Sequence, residues 1–208
     1  MIAALFVAKG GVYCGLTTVE PWTEEEDARD YHGPHVVVAH PPCSVWCQLA
    51  RVNEARYGHK AGDDGGCFKS ALDSVRMWGG VLEHPAETLA WKAHGLQRPR
   101  SGSWQRVDAE ETPIGLPQWV TEVCQGAYGH RAVKRTWLLS VGREPEELDW
   151  SRPTPTATIS FMTNHGGGNL PRLSKKEAKA TPQAFRDLLL SIARDARPSF
   201  MARGPGGR

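Results

Sequence analysis

Apolar positions along this chain fall into short β-branched runs and two stretches of helical spacing. Ile2 to Ala8 is apolar throughout and reads as a first strand, followed by a glycine turn at Gly10 and Gly11. Val19-Glu20-Pro21-Trp22 is a short second strand. Thr23 to Asp30 opens like a capped helical turn, its acids near the positive end of the dipole. Val36 to Val38 is a buried strand, ended at once by Pro41 and Pro42 because neither can donate to a ladder. Phe68, Ala71, Leu72 and Val75 fall at i, i+3, i+4 and i+7, predicting a helix that Gly79 and Gly80 stop. Val81-Leu82 then leads straight into Glu83-His84-Pro85. Strand, helix and strand in that order make a βαβ unit, which lays the two strands parallel and brings Cys43 and Glu83 to one sheet edge.

Further along, Trp119 to Cys124 and Thr136 to Val141 alternate as strands and pair as a hairpin. Residues 88–117 read as irregular and surface-lying, and 143–180, with the triplet Gly166 to Gly168, as extended loop. Thr181 caps a last helix with Pro182 in its first turn, and Phe185, Leu188, Leu189 and Ile192 form its core stripe. The 208 residues suit one domain over 1–196 with a disordered tail at 197–208.

Composition narrows the setting. Five irregularly spaced cysteines give no disulfide framework and suit a reducing cytoplasm. No apolar run is long enough for a membrane span, and the N-terminus lacks the basic start of a signal peptide. Net charge is only +2, but base gathers at residues 98–106, 131–135 and 172–179. The loop from Arg51 to Gly66 adds Arg56, His59, Lys60, Asp63 and Asp64. Such segments form a phosphate-binding face or ordinary solvated loops.

The candidate chemistry centres on Cys43. Two prolines present its thiol on a stiff turn at the carboxyl end of a strand, where open α/β sheets place ligands. It is a nucleophile or a small buried hydrophobe. Gly10 and Gly11 let a backbone approach a cofactor or mark a plain turn, and Glu20 accepts from a ribose or faces water. Trp46, Trp91 and Trp104 stack unpaired bases or fill the core. Cys43, Cys47, Cys67 and His84 have poor spacing for zinc, so no metal is expected.

The ordered set Pro41-Pro42-Cys43, Glu83-His84-Pro85, and Tyr128-Gly129 followed by Arg131, Lys134, Arg135 and Trp137 to Gly142 resembles DNA (cytosine-5) methyltransferases. It is most similar to their short phage and prophage relatives. The resemblance implies an α/β domain with a single Rossmann-like, mostly parallel sheet, DNA or a pyrimidine nucleotide as partner, and S-adenosylmethionine as cofactor. Cys43 would add to C6 of a flipped-out pyrimidine, and Glu83, held protonated by burial, would orient the base. Arg131 and Arg135 would stabilise the adduct, hold phosphate and lower the thiol's pKa. Phe6, Gly10, Gly11, Glu20 and Pro41 would meet the cofactor; Pro42, Trp46, His84, Pro85, Tyr128 and Lys134 would meet the substrate. Only 34 residues separate Phe6 from Pro41, so the cofactor half is abbreviated, and Glu83-His84-Pro85 replaces the family's Glu-Asn-Val. Methyl transfer, replacement of a group on a 5-hydroxymethyl-type pyrimidine without S-adenosylmethionine, and a catalytically inactive DNA-binding relative are the three functions in view.

Overall fold

A computed structural model describes residues 1–48, 50, 54, 58, 60–107, 112–159 and 170–196. Arg51, Arg56 and His59, the triplet Gly166 to Gly168, and the 197–208 tail lie outside the described residues.

The elements are β1 (Ile2–Leu5), β2 (Val19–Trp22), β3 (Val36–Ala39), α1 (Cys67–Trp78), β4 (Gly80–Pro85), α2 (Leu89–Ala93), β5 (Gln105–Val107), β6 (Gln118–Cys124), β7 (Arg135–Val141), α3 (Lys175–Lys179) and α4 (Gln183–Asp195). The strands form one sheet in the order β2-β1-β3-β4-β7-β6-β5. The chain is therefore α/β, but the sheet is mixed. β2, β1, β3 and β4 run parallel, while the longer ladders of β7 with β4 and β6, and that of β5 with β6, are antiparallel. The connection from β6 to β7 is one 3-10 turn, Gln125–Tyr128, and a few loop residues, too short for the crossover a parallel pair needs.

Period-2 alternation sorts the sheet's side chains onto two helix-covered faces. Ala3, Leu5, Val37, Ala39, Leu82 and Trp137 face α1, where Phe68, Leu72 and Val75 are buried; each contributes roughly 1.5–3 kcal/mol of burial. Ile2, Ala4, Val36, Val38, Val81 and Leu138 face α4 and its Phe185, Leu189 and Ile192. Asp64 starts α1 by accepting from the Gly66 and Phe68 amides. Gly80 sits at φ +126°, and a Cβ there would overlap the Val37 carbonyl, so β3 and β4 approach this closely only at a glycine.

Several local expectations need correction. β1 stops at Leu5, because Phe6 turns the chain through φ 59°. The 23–30 segment holds only a 3-10 turn, Ala28–Asp30, capped by the Asp27 carboxylate. The 88–117 segment is not all surface: Thr88 caps α2, and Trp91 is buried against Phe68 and Trp137. Within 143–180, Ser174 and Glu177 close a capping box on α3. Pro182, not Thr181, is the residue preceding α4. No helix among the described residues is long and apolar enough to cross a membrane.

Candidate active site

The loop after β1, which carries Tyr13, packs on the α4 face, whereas the connection from β3 to β4 runs through α1 on the other. Between the carboxyl ends of β1 and β3 the connections therefore diverge, which is where open α/β sheets leave a ligand crevice. β3 delivers His40, Pro41, Pro42 and Cys43 to this edge, and β4 delivers Glu83. The antiparallel β6 and β7 bring Gln125 and Lys134 to the same edge, since Pro85 pairs with Thr136 and Cys124 with Arg135.

Glu83 is the hub. Its Oε2 lies 2.8 Å from His40 Nδ1, and its Oε1 accepts from Gln125 Nε2 at 3.2 Å. Gln125 also donates to Thr136 Oγ1 at 2.9 Å. On its other side His40 Nε2 meets the Tyr13 hydroxyl at 2.7 Å. Burial alone would raise the Glu83 pKa, but the hydrogen bond and charge of His40, helped by Lys134, outweigh it and leave it below the ordinary value. This corrects the expectation of a protonated Glu83: the carboxyl is held as the anion. Burial, then the nearby Glu83 charge, pushes the Tyr13 hydroxyl well up, so it stays a phenol.

Cys43 is partly buried at the start of a 3-10 turn, Ser44–Trp46. Burial first, and the Glu83 anion second, raise its thiol pKa; Lys179 and Lys134 act against them. The expectation that arginines lower this pKa therefore fails on both counts. The net direction is upward, and the cations within reach are lysines. Lys134 Nζ donates to the carbonyls of Ala180 at 3.0 Å and Lys179 at 3.4 Å, and burial lowers its own pKa. Two carbonyls use two N–H groups, leaving the third position of the nitrogen for its neighbours Cys43 and Glu83.

Other expected site residues serve elsewhere. Arg135 alternates to the α1 face, where it grips Glu122 with two bonds of 2.8 and 2.7 Å and reaches Glu87 at 3.2 Å. Arg131 is exposed and pairs loosely with Glu177 at 3.6 Å. His84 follows Glu83 on the strand and so must point to the opposite face, where its ring meets Phe68 edge-on in full burial. Neither ring nitrogen has a hydrogen-bond partner, and burial lowers its pKa to about 4, the Pro42 backbone opposing this without reaching hydrogen-bond geometry. Pro42 is exposed beside the thiol, Pro41 is buried beneath it, and Pro85 closes β4 half-buried. Trp46 is buried and donates to Asp64 at 2.8 Å, and Trp104 donates to the Glu146 carbonyl, so neither is a free stacking platform. The Tyr128 hydroxyl is spent on the backbone of Asp149.

Nor do the expected cofactor residues assemble. Gly10 is open to solvent at φ +66°, Gly11 is held by a tight turn against the Ala8 carbonyl, and Phe6 is part-buried on the α1 side. Glu20 sits in the middle of edge strand β2, opposite Ala3, and is exposed. A hollow of about 210 Å³ lined by Gly129, His130, Arg131, Glu177, Ala180 and Pro182 adjoins the Lys134 anchor but does not include Cys43. Among the described residues no three His, Cys, Asp or Glu side chains gather as a metal site.

Tyr13, His40, Gln125 and Lys179 went unassigned from the sequence. His40 was legible in principle: it continues the alternation of Val36 and Val38 and immediately precedes the prolines. Tyr13 and Gln125 carry no such signal, because long-range pairing alone brings them in. Comparison with family models, with curated proteins and with solved structures finds no match to this chain.

Proposed function

We propose that this protein modifies a pyrimidine base at C5, in DNA or a nucleotide, through a covalent bond between Cys43 Sγ and C6 of the ring. The observation that carries the reading is the convergence of Cys43, Glu83 and Lys134 at one sheet edge, from three separate strands. Pyrimidine C5 is a poor nucleophile until a group adds at C6. A soft thiolate suits that addition, and a neighbouring carboxylate suits the Watson–Crick edge. The thiol loses its proton to solvent, and Lys134 stands as the cation beside the resulting sulfur anion. In duplex DNA the base must leave the stack, at a cost of a few kcal/mol. The parallel set β2-β1-β3-β4, with its divergent connections, supports a Rossmann-like, methyltransferase-like origin for the sheet.

Phe6, Gly10, Gly11, Glu20 and Pro41 do not fit S-adenosylmethionine. No helix follows β1 before β2 begins, and Glu20 lies mid-strand rather than at the carboxyl end. That geometry favours the second form of the same adduct chemistry, in which thiol addition assists replacement of a group on a 5-hydroxymethyl-type pyrimidine.

Reversible addition at C6 makes the C5 hydrogen exchangeable without any cofactor. Cytosine- and uracil-containing oligonucleotides incubated with the protein in deuterated water should gain deuterium at C5, and 5-fluoro analogues should give a mass adduct on Cys43. Cys43→Ala should show neither. Equal exchange by wild type and Cys43→Ala, or none by the wild type on any pyrimidine, overturns the proposal.

A further inference from the structure

We infer that the ring this site takes is an imide pyrimidine, uracil or a 5-substituted uracil such as its 5-hydroxymethyl form, and not cytosine, because the Glu83 carboxyl meets hydrogen-bond donors and so can only accept from the ring. The inference rests on the C5-modification reading and names the substrate class of that same site.

Each neighbour of Glu83 has its hydrogens assigned by what lies behind it. Tyr13 is buried, and its hydroxyl hydrogen needs an acceptor; His40 Nε2 at 2.7 Å is the group it meets. A singly protonated His40 therefore carries its hydrogen on Nδ1, and a doubly protonated one carries a hydrogen there as well. In both states Nδ1–H donates to Glu83 Oε2 at 2.8 Å. Gln125 is fixed from its other side. Thr136 Oγ1 donates to the Lys134 carbonyl at 3.4 Å, so toward Gln125 it accepts. The Gln125 amide nitrogen thus serves both Thr136, at 2.9 Å, and Glu83 Oε1, at 3.2 Å. Its oxygen is left buried and unpartnered, yet turning the amide over would set that oxygen against the carboxylate. Two of the four acceptor sites on Glu83 are used in this way. Against its burial, the His40 bond and the Lys134 charge keep the carboxyl without a proton. The side chain is 11% exposed, so a remaining acceptor site is within reach of the crevice.

In a pyrimidine, C6 and N3 lie across the ring from one another. A ring whose C6 rests on Cys43 Sγ therefore turns N3, rather than its 4-substituent, toward the group on its far side. Uracil offers the carboxylate an N3–H there. Cytosine offers a lone pair, which an anion repels, and a buried polar group left unpaired in this way rejects the wrong ring more strongly than shape does.

The test is deuterium gain at C5 in single-stranded oligonucleotides carrying one uracil, one cytosine or one N3-methyluracil. Comparing the uracil-to-cytosine ratio between proteins cancels the rings' own difference in reactivity. The wild-type ratio should exceed that of Glu83→Gln, whose amide can donate or accept, by about 10²-fold. Gln125→Glu sets a second carboxyl against the first, so that the pair retains a proton, and should move the ratio toward cytosine by about tenfold. Lost packing alone would slow both rings and leave the ratio where it was. In wild type, N3-methyluracil should exchange about 10²-fold more slowly than uracil. Should neither variant fold or exchange, the N3-methyluracil rate decides. A wild type that prefers cytosine, N3-methyluracil exchanged as fast as uracil, or an unchanged ratio in folded, active variants overturns the imide assignment and leaves the Cys43 reading standing. A wild type silent on every pyrimidine overturns both.

Discussion

Glu122 offers the sharpest test of how the antiparallel half of the sheet holds together. It is a carboxylate on β6, 4% exposed, that accepts four hydrogen bonds: two from Arg135 at 2.8 and 2.7 Å, one from Arg152 at 2.9 Å, and one from the Trp137 indole at 2.9 Å. Four bonds exhaust its lone pairs. In Glu122→Gln the amide oxygen keeps two of them, and the amide nitrogen points donors at donors on the other two. Each bond to a charged group contributes about 1.5–3 kcal/mol net. Arg135 and Arg152 are 39% and 52% exposed at the side chain, so water recovers part of their loss, whereas the buried Trp137 N–H recovers none. The expected cost is about 2–4 kcal/mol. For a chain of this size that lowers the thermal midpoint by about 4–16 °C. Circular dichroism melts and urea titration measure it, with no change expected in the urea slope. A drop under 2 °C would refute the accounting. The Glu122 pKa is also depressed: burial would raise it, but Arg135 and Trp137 outweigh that. Its stabilisation is therefore present above the unfolded carboxylate pKa and is lost as pH falls through the lower folded value. Glu122→Gln should flatten that acid limb.

His84 is neutral in the core, its pKa lowered from 6.5 to about 4, so the unfolded chain binds the proton more tightly. Stability should fall as pH drops from about 6.5 to about 4, by up to roughly 3 kcal/mol. His84→Leu should remove that slope while leaving C5 exchange near wild type; loss of exchange in a folded His84→Leu protein would restore His84 to the site. Gly80→Ala forces a Cβ into the Val37 carbonyl and should leave little soluble protein, and normal yield and melting would contradict the close approach of β3 and β4.

Local pattern made much of the fold legible. The 3.6-residue spacing of Phe68 to Val75 gives α1, the β-branched run gives β3, and the βαβ order places Cys43 and Glu83 at one edge. The antiparallel turn from β6 to β7 was equally plain as a hairpin. What pattern did not carry is which cation faces the thiol. Lys134 and Arg135 are adjacent, and a single step of strand register sends Arg135 to the α1 face and leaves Lys134 at the edge. Glu83 and His84 divide in the same way. Against its burial, the ionisation of Glu83 depends on His40 and Lys134, residues 43 and 51 positions away, and no local spacing encodes that meeting.

Lys134 is held by carbonyls from Lys179 and Ala180, immediately ahead of α4, which itself covers β1, β3 and β4. The thiol's companion cation is thus fixed by backbone made some 45 residues later. A nascent chain that has laid down β7 but not residues 179–195 carries its cysteine without an anchored lysine and with one sheet face bare. Under the proposed C5 chemistry, competence is therefore timed by translation: the anchored Cys43–Lys134 arrangement forms only once the closing helix has emerged and docked.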